Sequence, residues 1–164
     1  MKNVLLVCHA NTCRSVMAHV LLEQMLAARE VHTAVRVRSG GVGNIARDGM
    51  IPSLDARIVL REDGIHLAET TITSTDLRQH TEIVVAADLI VTMTVEQKET
   101  MRRLANGSAA PLYTLRELAG EAGDIGDPVG LGEDTYRACR DEIKRCLTKS
   151  IDRVLTTLRV EAQR

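Results

Sequence analysis

The sequence predicts an α/β protein, a three-layer sandwich in which a four-stranded parallel twisted sheet carries helices on both faces. Three observations lead there. Short apolar runs alternate with stretches of helical periodicity along the chain. The runs, such as NVLLV and DLIVTM, are too continuous for strands with one wet face and suit a sheet covered on both sides. The length, 164 residues of which 45% are apolar, is enough for one full core, and no repeat or low-complexity linker divides it, so residues 1–164 are read as a single domain.

Residues 3–7 form the first strand and run into the polar loop CHANTCRS. From 15 to 29, Met17, Val20, Leu21, Met25 and Ala28 recur at helical spacing. In VRVRSGGVG, Val35 to Arg38 alternate as a strand and the glycines are expected to end it. A helix over 52–63 stops at Gly64, a usual C-terminal signal. DLIVTM (88–93) is the third strand, VEQKETMRRL the next helix and APLYTL (110–115) the fourth strand. The Gly-rich stretch GEAGDIGDPVGLG leads to a long helix from about residue 134. Such a Rossmann-like sheet binds ligands at the carboxyl ends of its strands, near the point where strand order reverses. Cys8 lies at such an end.

Composition narrows the function. Net charge is −1 with both signs mixed along the chain, which gives no nucleic-acid-binding face. The opening MKNVLLVCHA has the look of a weak secretory signal but turns polar at Asn11 without a cleavage site. The run IVVAADLIV is interrupted by Asp88 and too short to span a bilayer, so no membrane role is expected. A cytoplasmic protein with reduced thiols follows as the expectation. Aromatic residues are limited to Tyr113 and Tyr136, so any pocket has little to stack with.

Cys8 and Arg14 have the Cys-x5-Arg spacing of a phosphate-binding loop carrying a thiolate. Spacing alone decides little, because Cys139 and Arg145 share it. There, however, Tyr136, Cys139, Ile143, Cys146, Val154 and Leu158 form one apolar helical stripe, which makes Cys139 and Cys146 core thiols. The first match has the right setting of strand, polar loop and helix. Its backbone N–H groups can turn inward around an anion, and the helix start near Ser15 adds the positive end of its dipole. That field favours a thiolate at Cys8. Arg14 can grip two phosphoryl oxygens with its planar fork, and Ser15 can donate to the sulfur. A zinc site lacks further ligands at suitable spacing. A pair of plain core thiols remains the bland alternative, but Asn11, Thr12 and Arg14 would make a poor core.

Here the chain resembles the low-molecular-weight protein tyrosine phosphatase family, whose opening Cys-x-Gly-Asn-x-Cys-Arg-Ser-Pro stands against CHANTCRSV in this sequence. The likeness continues in RSGGVG, ADLIVTM and DIGDPVGLGEDTYRACRDEI. The resemblance implies Cys8 as nucleophile, Arg14 as phosphate clamp, Ser15 as thiolate partner, and a phosphate loop of His9, Ala10, Asn11, Thr12, Cys13, Arg14 and Ser15. Asn11 would hold that loop by bonding Ser39. Asp127 would be the general acid; of ten aspartates it alone precedes a proline, although Asp-Pro-Val-Gly also reads as a plain turn. Asp124 is the fallback, read as structural. Ala10 replaces the family glycine and would strain the loop if it needs positive φ; Val16 replaces a proline.

Two residues bear on the substrate. Tyrosine-specific members carry a bulky aliphatic residue at the position of Thr12 and aromatic residues after the Asp-Pro, where this chain has Val129. Thr12 resembles the protein-arginine phosphatase branch instead, although it also reads as a tolerated residue at a variable position. The expected activity is therefore a phosphoprotein phosphatase working through a cysteinyl-phosphate, on phosphoarginine or alternatively phosphotyrosine, without metal or cofactor, as a monomer or weak dimer. His9 faces the pocket mouth and either tunes substrate choice or is merely solvated. Cys13 either captures an oxidised Cys8 as a disulfide or packs the loop. Arsenate reduction is disfavoured because IVTMTVEQKETM, after the third strand, has no cysteine. An anion-binding module without turnover is the non-enzymatic alternative.

Overall fold

The structure, a computed structural model, describes residues 1–161. Four strands, β1 (Lys2–Cys8), β2 (Val35–Gly41), β3 (Leu89–Thr92) and β4 (Leu112–Thr114), form one parallel sheet in the order β2-β1-β3-β4. Chain order therefore reverses at β1, whose two neighbours are β2 and β3, and the carboxyl ends of β1 and β3 flank the crevice where such sheets bind ligands. Among the described residues there are also six helices: α1 (Arg14–Ala28), α2 (Leu54–Glu62), α3 (Thr81–Val85), α4 (Val95–Leu104), α5 (Leu115–Leu118) and α6 (Glu133–Leu158).

β1 shows why this is a three-layer protein. Val4, Leu6 and Cys8 point into an apolar cluster with α1, α2, α5 and α6, while Leu5 and Val7 point into a second cluster with α3 and α4. Alternate residues thus feed opposite cores, which is why the strand reads as a continuous apolar run. The stripe on α6 is buried as its spacing predicts, from Tyr136 through Cys139, Ile143, Cys146 and Val154 to Leu158. Among the described residues no helix is long and apolar enough to cross a membrane.

Several boundaries differ from the sequence expectation. β2 does not end at its glycines but runs through them to Gly41. Neither Gly40 nor Gly41 has positive φ; they are there for close approach. A Cβ on Gly40 would stand 2.4 Å from Leu77, and one on Gly41 would stand 2.8 Å from the His9 carbonyl oxygen. The helix expected over 52–63 starts at Leu54, because Ser53 caps it by accepting the Ala56 N–H. The fourth strand stops at Thr114, which caps α5 in a reciprocal box with Glu117. The short helices α3 and α5 had not been expected.

Candidate active site

The loop between β1 and α1 closes around the Cys8 sulfur. Cys8 is buried, and its Sγ lies 2.9 Å from Ser15 Oγ and receives the Asn11 N–H at 3.2 Å. Asn11 fixes the polarity of this contact. Its Oδ1 accepts the Thr75 N–H at 3.0 Å, which commits Nδ2 to donate to Ser15 Oγ at 2.7 Å. With its oxygen already accepting, the Ser15 hydroxyl hydrogen is free to point at the sulfur. Asn11, Ser15 and Cys8 thus form a chain of donors ending on sulfur, the arrangement that stabilises a thiolate. The N–H groups of His9, Ala10, Thr12 and Cys13 donate to no protein acceptor among the described residues, as an anion-binding loop requires.

Two expectations about this loop are corrected. Asn11 does not bond Ser39; its partners are Thr75 and Ser15, while Ser39 Oγ pairs with His19 Nδ1 at 2.9 Å. The strand carrying Ser39 lies beside the loop, but the segment 74–77 crosses over its end and reaches Asn11 first. Ala10 is not strained. The left-handed residue is Asn11, at φ 59, a residue type that tolerates this conformation, so the methyl of Ala10 costs the loop nothing.

Outside elements hold the loop from several sides. Val42 and Gly43 donate to the carbonyls of Cys8 and His9, and the Ser53 N–H donates to the Thr12 carbonyl at 2.9 Å. Cys13 packs below it beside Tyr136, and burial pushes the Cys13 thiol well above its ordinary value. Burial likewise raises the Tyr136 hydroxyl to about 12 and the Cys139 thiol to about 12. Cys139 lies against the Gly126 carbonyl, at 3.7 Å.

The loop that carries Asp127, between α5 and α6, packs against the end of β3. The Ile125 N–H donates to the Met93 carbonyl at 2.8 Å, and the Ile125 carbonyl in turn accepts Arg14 Nη1 at 2.8 Å. Two residues on, the Asp127 carboxylate stands 3.8 Å from Arg14 Nη2. Arg14 is almost wholly buried, with 6% of its side chain exposed, whereas Asp127 is half exposed at 49%. The guanidinium is held in place and the carboxylate is open to solvent. Asp124 has a different job: its carboxylate accepts the Val95 N–H at the start of α4, the structural part expected of it. Above Cys8 opens a slot of about 160 Å³ with Thr12, Ile45, Met50, Asp127 and Val129 on its walls.

A chain with this site matches, over residues 3–163, the family described as low molecular weight phosphotyrosine protein phosphatase. It belongs to that family. Among its relatives, a protein-arginine-phosphatase of Geobacillus stearothermophilus is 33% identical over 154 residues, 93% of this chain and 96% of the relative. The low molecular weight protein-tyrosine-phosphatase PtpB of Staphylococcus aureus is 30% identical over 151 residues, 91% of this chain and 96% of the relative. Among solved structures, a cysteine-to-serine mutant of the YwlE arginine phosphatase with a phosphorylated active-site serine superposes with a TM-score of 0.79. It is 30% identical and covers 94% of this chain and 95% of that one.

Cys8, His9, Ala10, Asn11, Thr12, Cys13, Arg14, Ser15, Asp127 and Val129 are therefore gathered in one place, and Ser39 is not among them. Sequence reasoning missed Ile45, Met50 and Thr75. Ile45 and Met50 sit in a polar stretch, GNIARDGMI, where unpatterned apolar residues had no core to serve; that mismatch was the available signal. Thr75 contributes only its backbone N–H, which no side chain announces.

Proposed function

We infer that this chain is a phosphoprotein phosphatase that works through a cysteinyl-phosphate and acts on phosphoarginine. The observation that carries the substrate is the wall of the slot: a hydroxyl at Thr12, a carboxyl at Asp127, the apolar side chains of Ile45, Met50 and Val129, and, among the described residues, no Phe, Tyr or Trp ring beside the imidazole of His9. A planar guanidino group finds oxygen acceptors for its N–H donors at both Thr12 and Asp127, whereas a phenyl ring has no donor to place there. The arginine-phosphatase relatives support the same substrate.

In the first step the Cys8 thiolate attacks phosphorus in line with the scissile phosphorus–nitrogen bond. Arg14 and the loop N–H groups hold the three equatorial oxygens, where charge gathers in the transition state. Asp127 hands its proton to the departing guanidino nitrogen. In the second step the Asp127 carboxylate takes a proton from water, the water oxygen attacks phosphorus, and the sulfur–phosphorus bond breaks. The donor chain from Asn11 through Ser15 makes sulfur the better leaving group. Protein substrates, rather than nucleic acid or lipid, and a cytoplasmic setting fit this chemistry.

Phosphotyrosine is the second reading, favoured by one observation: Ile45, Met50 and Val129 give the slot apolar sides against which a ring could lie. The deciding measurement is kcat/KM on phosphoarginine and phosphotyrosine peptides of matched sequence, with Cys8→Ser as control. A preference for phosphoarginine of at least about tenfold, some 1.4 kcal/mol, is expected. A preference for phosphotyrosine would overturn the assignment.

A further inference from the structure

Beside the slot lies a second, larger cavity that the chemistry does not use. It is an open cleft of about 650 Å³ between the loop that carries Asp127 and the first turn of α4, and His9, Arg14 and Asp127 form a wall common to both. The slot holds one side chain. A polypeptide whose phosphorylated residue fills it must therefore lay its neighbouring residues over the cleft or over the apolar lip made by Ile45, Met50 and Val129. The two sides are chemically opposite. The cleft is lined by Thr94, Glu96, Gln97, Thr100 and Asp124, and among the described residues its basic side chains are Arg14 and His9.

The carboxylates there are available. Asp124 gives one oxygen to the Val95 N–H and keeps the other free, and Glu96 forms no ion pair among the described residues. Three basic residues of the neighbourhood are committed elsewhere, Lys98 to Glu117, Arg102 to Glu99, and Arg116 to Glu142 and the Asp124 carbonyl, while Arg103, two turns along α4 from Glu96, is not part of the cleft lining. Arg14 turns its guanidinium to the Ile125 carbonyl and to the slot. Once a phosphoryl group occupies the slot, the Arg14 charge is matched there and the cleft is left net negative.

The geometry points to a subsite for a cationic side chain: the phosphatase reads the residue next to the phosphorylated one, and Glu96 and Asp124 select a lysine or arginine there against an acidic residue. This rests on the protein-phosphatase reading above and adds to it a sequence preference. A rim contact of this kind acts equally on the bound substrate and the transition state, so the preference falls in KM. An exposed pair is worth up to about fivefold in affinity, and screening removes most of it at high salt.

The test uses the full chain and phosphopeptides, with either phosphoarginine or phosphotyrosine, that carry Lys, Ala or Glu at the positions flanking the modified residue. The readout is the ratio of kcat/KM between the Lys and Glu peptides, which divides out any general change in turnover. In wild type that ratio is expected to be about five to twenty-five, two charge contacts at most, and to shrink toward one in 0.5 M salt. Glu96→Gln lowers it and Glu96→Lys inverts it. A wild-type ratio of one, with the Ala peptide turned over, would overturn the subsite and leave the phosphatase assignment standing. Hydrolysis of p-nitrophenyl phosphate with none of any phosphopeptide would sink both.

Discussion

Asn11 uses every part of its side chain and its backbone in the loop around Cys8: Oδ1 on Thr75, Nδ2 on Ser15, the N–H on Cys8, and a left-handed backbone that turns the loop. Gln carries the same amide but on a longer stem and without the tolerance of Asn for the left-handed backbone, so Asn is the residue type that suits all four. Cys13, two residues on, is the counterpart without a polar partner of that kind. Its burial keeps it a thiol, and it feels the charge of Cys8 nearby. If peroxide oxidises Cys8 to the sulfenic acid, the Cys13 sulfur can attack the Cys8 sulfur and expel water as the disulfide closes. Because the thiolate is the attacking form, closure speeds up as pH rises. The expected outcome is that wild type inactivated by peroxide regains activity with dithiothreitol, more completely at pH 8.5 than at 6.5, and that Cys13→Ser does not. Irreversible loss in wild type, or equal recovery in the variant, would rule out the guard.

At the scale of elements, what the sequence could announce depended on how local the cause was. α4 falls where periodicity places it, and the α6 stripe separates its core thiols from the reactive loop, because both signals lie within one helix. The expected Ser39 partner of Asn11 gives way to Thr75 because Oδ1 finds a backbone N–H 64 residues away, which no side chain announces. The glycines of β2 were misread for the same reason: they are dictated by what packs against them, not by their own backbone angles. That reading has a test. Gly41→Ala would drive a methyl to 2.8 Å from the His9 carbonyl oxygen and 2.9 Å from the Ala10 carbonyl carbon, both backbone atoms of the loop around Cys8. Overpacking of this kind destabilises by about 1–3 kcal/mol, and a displacement of about 1 Å in a catalytic group costs roughly a hundredfold in rate. Gly107→Ala is the control: its φ is 89 but nothing stands within 4 Å of the added methyl. Both variants are expected to melt at lower temperature, and only Gly41→Ala to lose kcat/KM. Full activity in Gly41→Ala would show that β2 does not brace the loop.

Across the whole molecule the site depends on a strap between layers. The segment 43–51, which carries Ile45 and Met50, is tied to 74–77 by the backbone pairs Gly49 to Ser74 and Ser74 to Met50, and to α3 through His80. His80 Nε2 lies 2.7 Å from Asp48 Oδ2 and its Nδ1 lies 3.3 Å from Glu82 Oε1; the Arg78–Asp76 pair completes the neighbourhood. The hydrogen bond to Asp48 raises His80 above its ordinary 6.5. Asp48 is lowered below 3.8, first by the Asp76 N–H and then by His80. The two shifts have opposite signs of linkage. The His80 contribution is complete below pH 6.5 and is lost as pH rises through the raised value; the Asp48 contribution is complete above pH 3.8 and is lost as pH falls through the lowered one. Both act together between these limits, so the strap is tightest in mildly acidic solution. His80→Gln keeps a hydrogen-bond donor without the charge. The difference in Tm between wild type and this variant is therefore expected to be largest near pH 5 and to narrow steadily toward pH 8. A difference that stays constant from pH 5 to pH 8 would mean that His80 binds its proton equally well folded and unfolded, so that its pairing with Asp48 adds nothing to the backbone pairing that holds this segment.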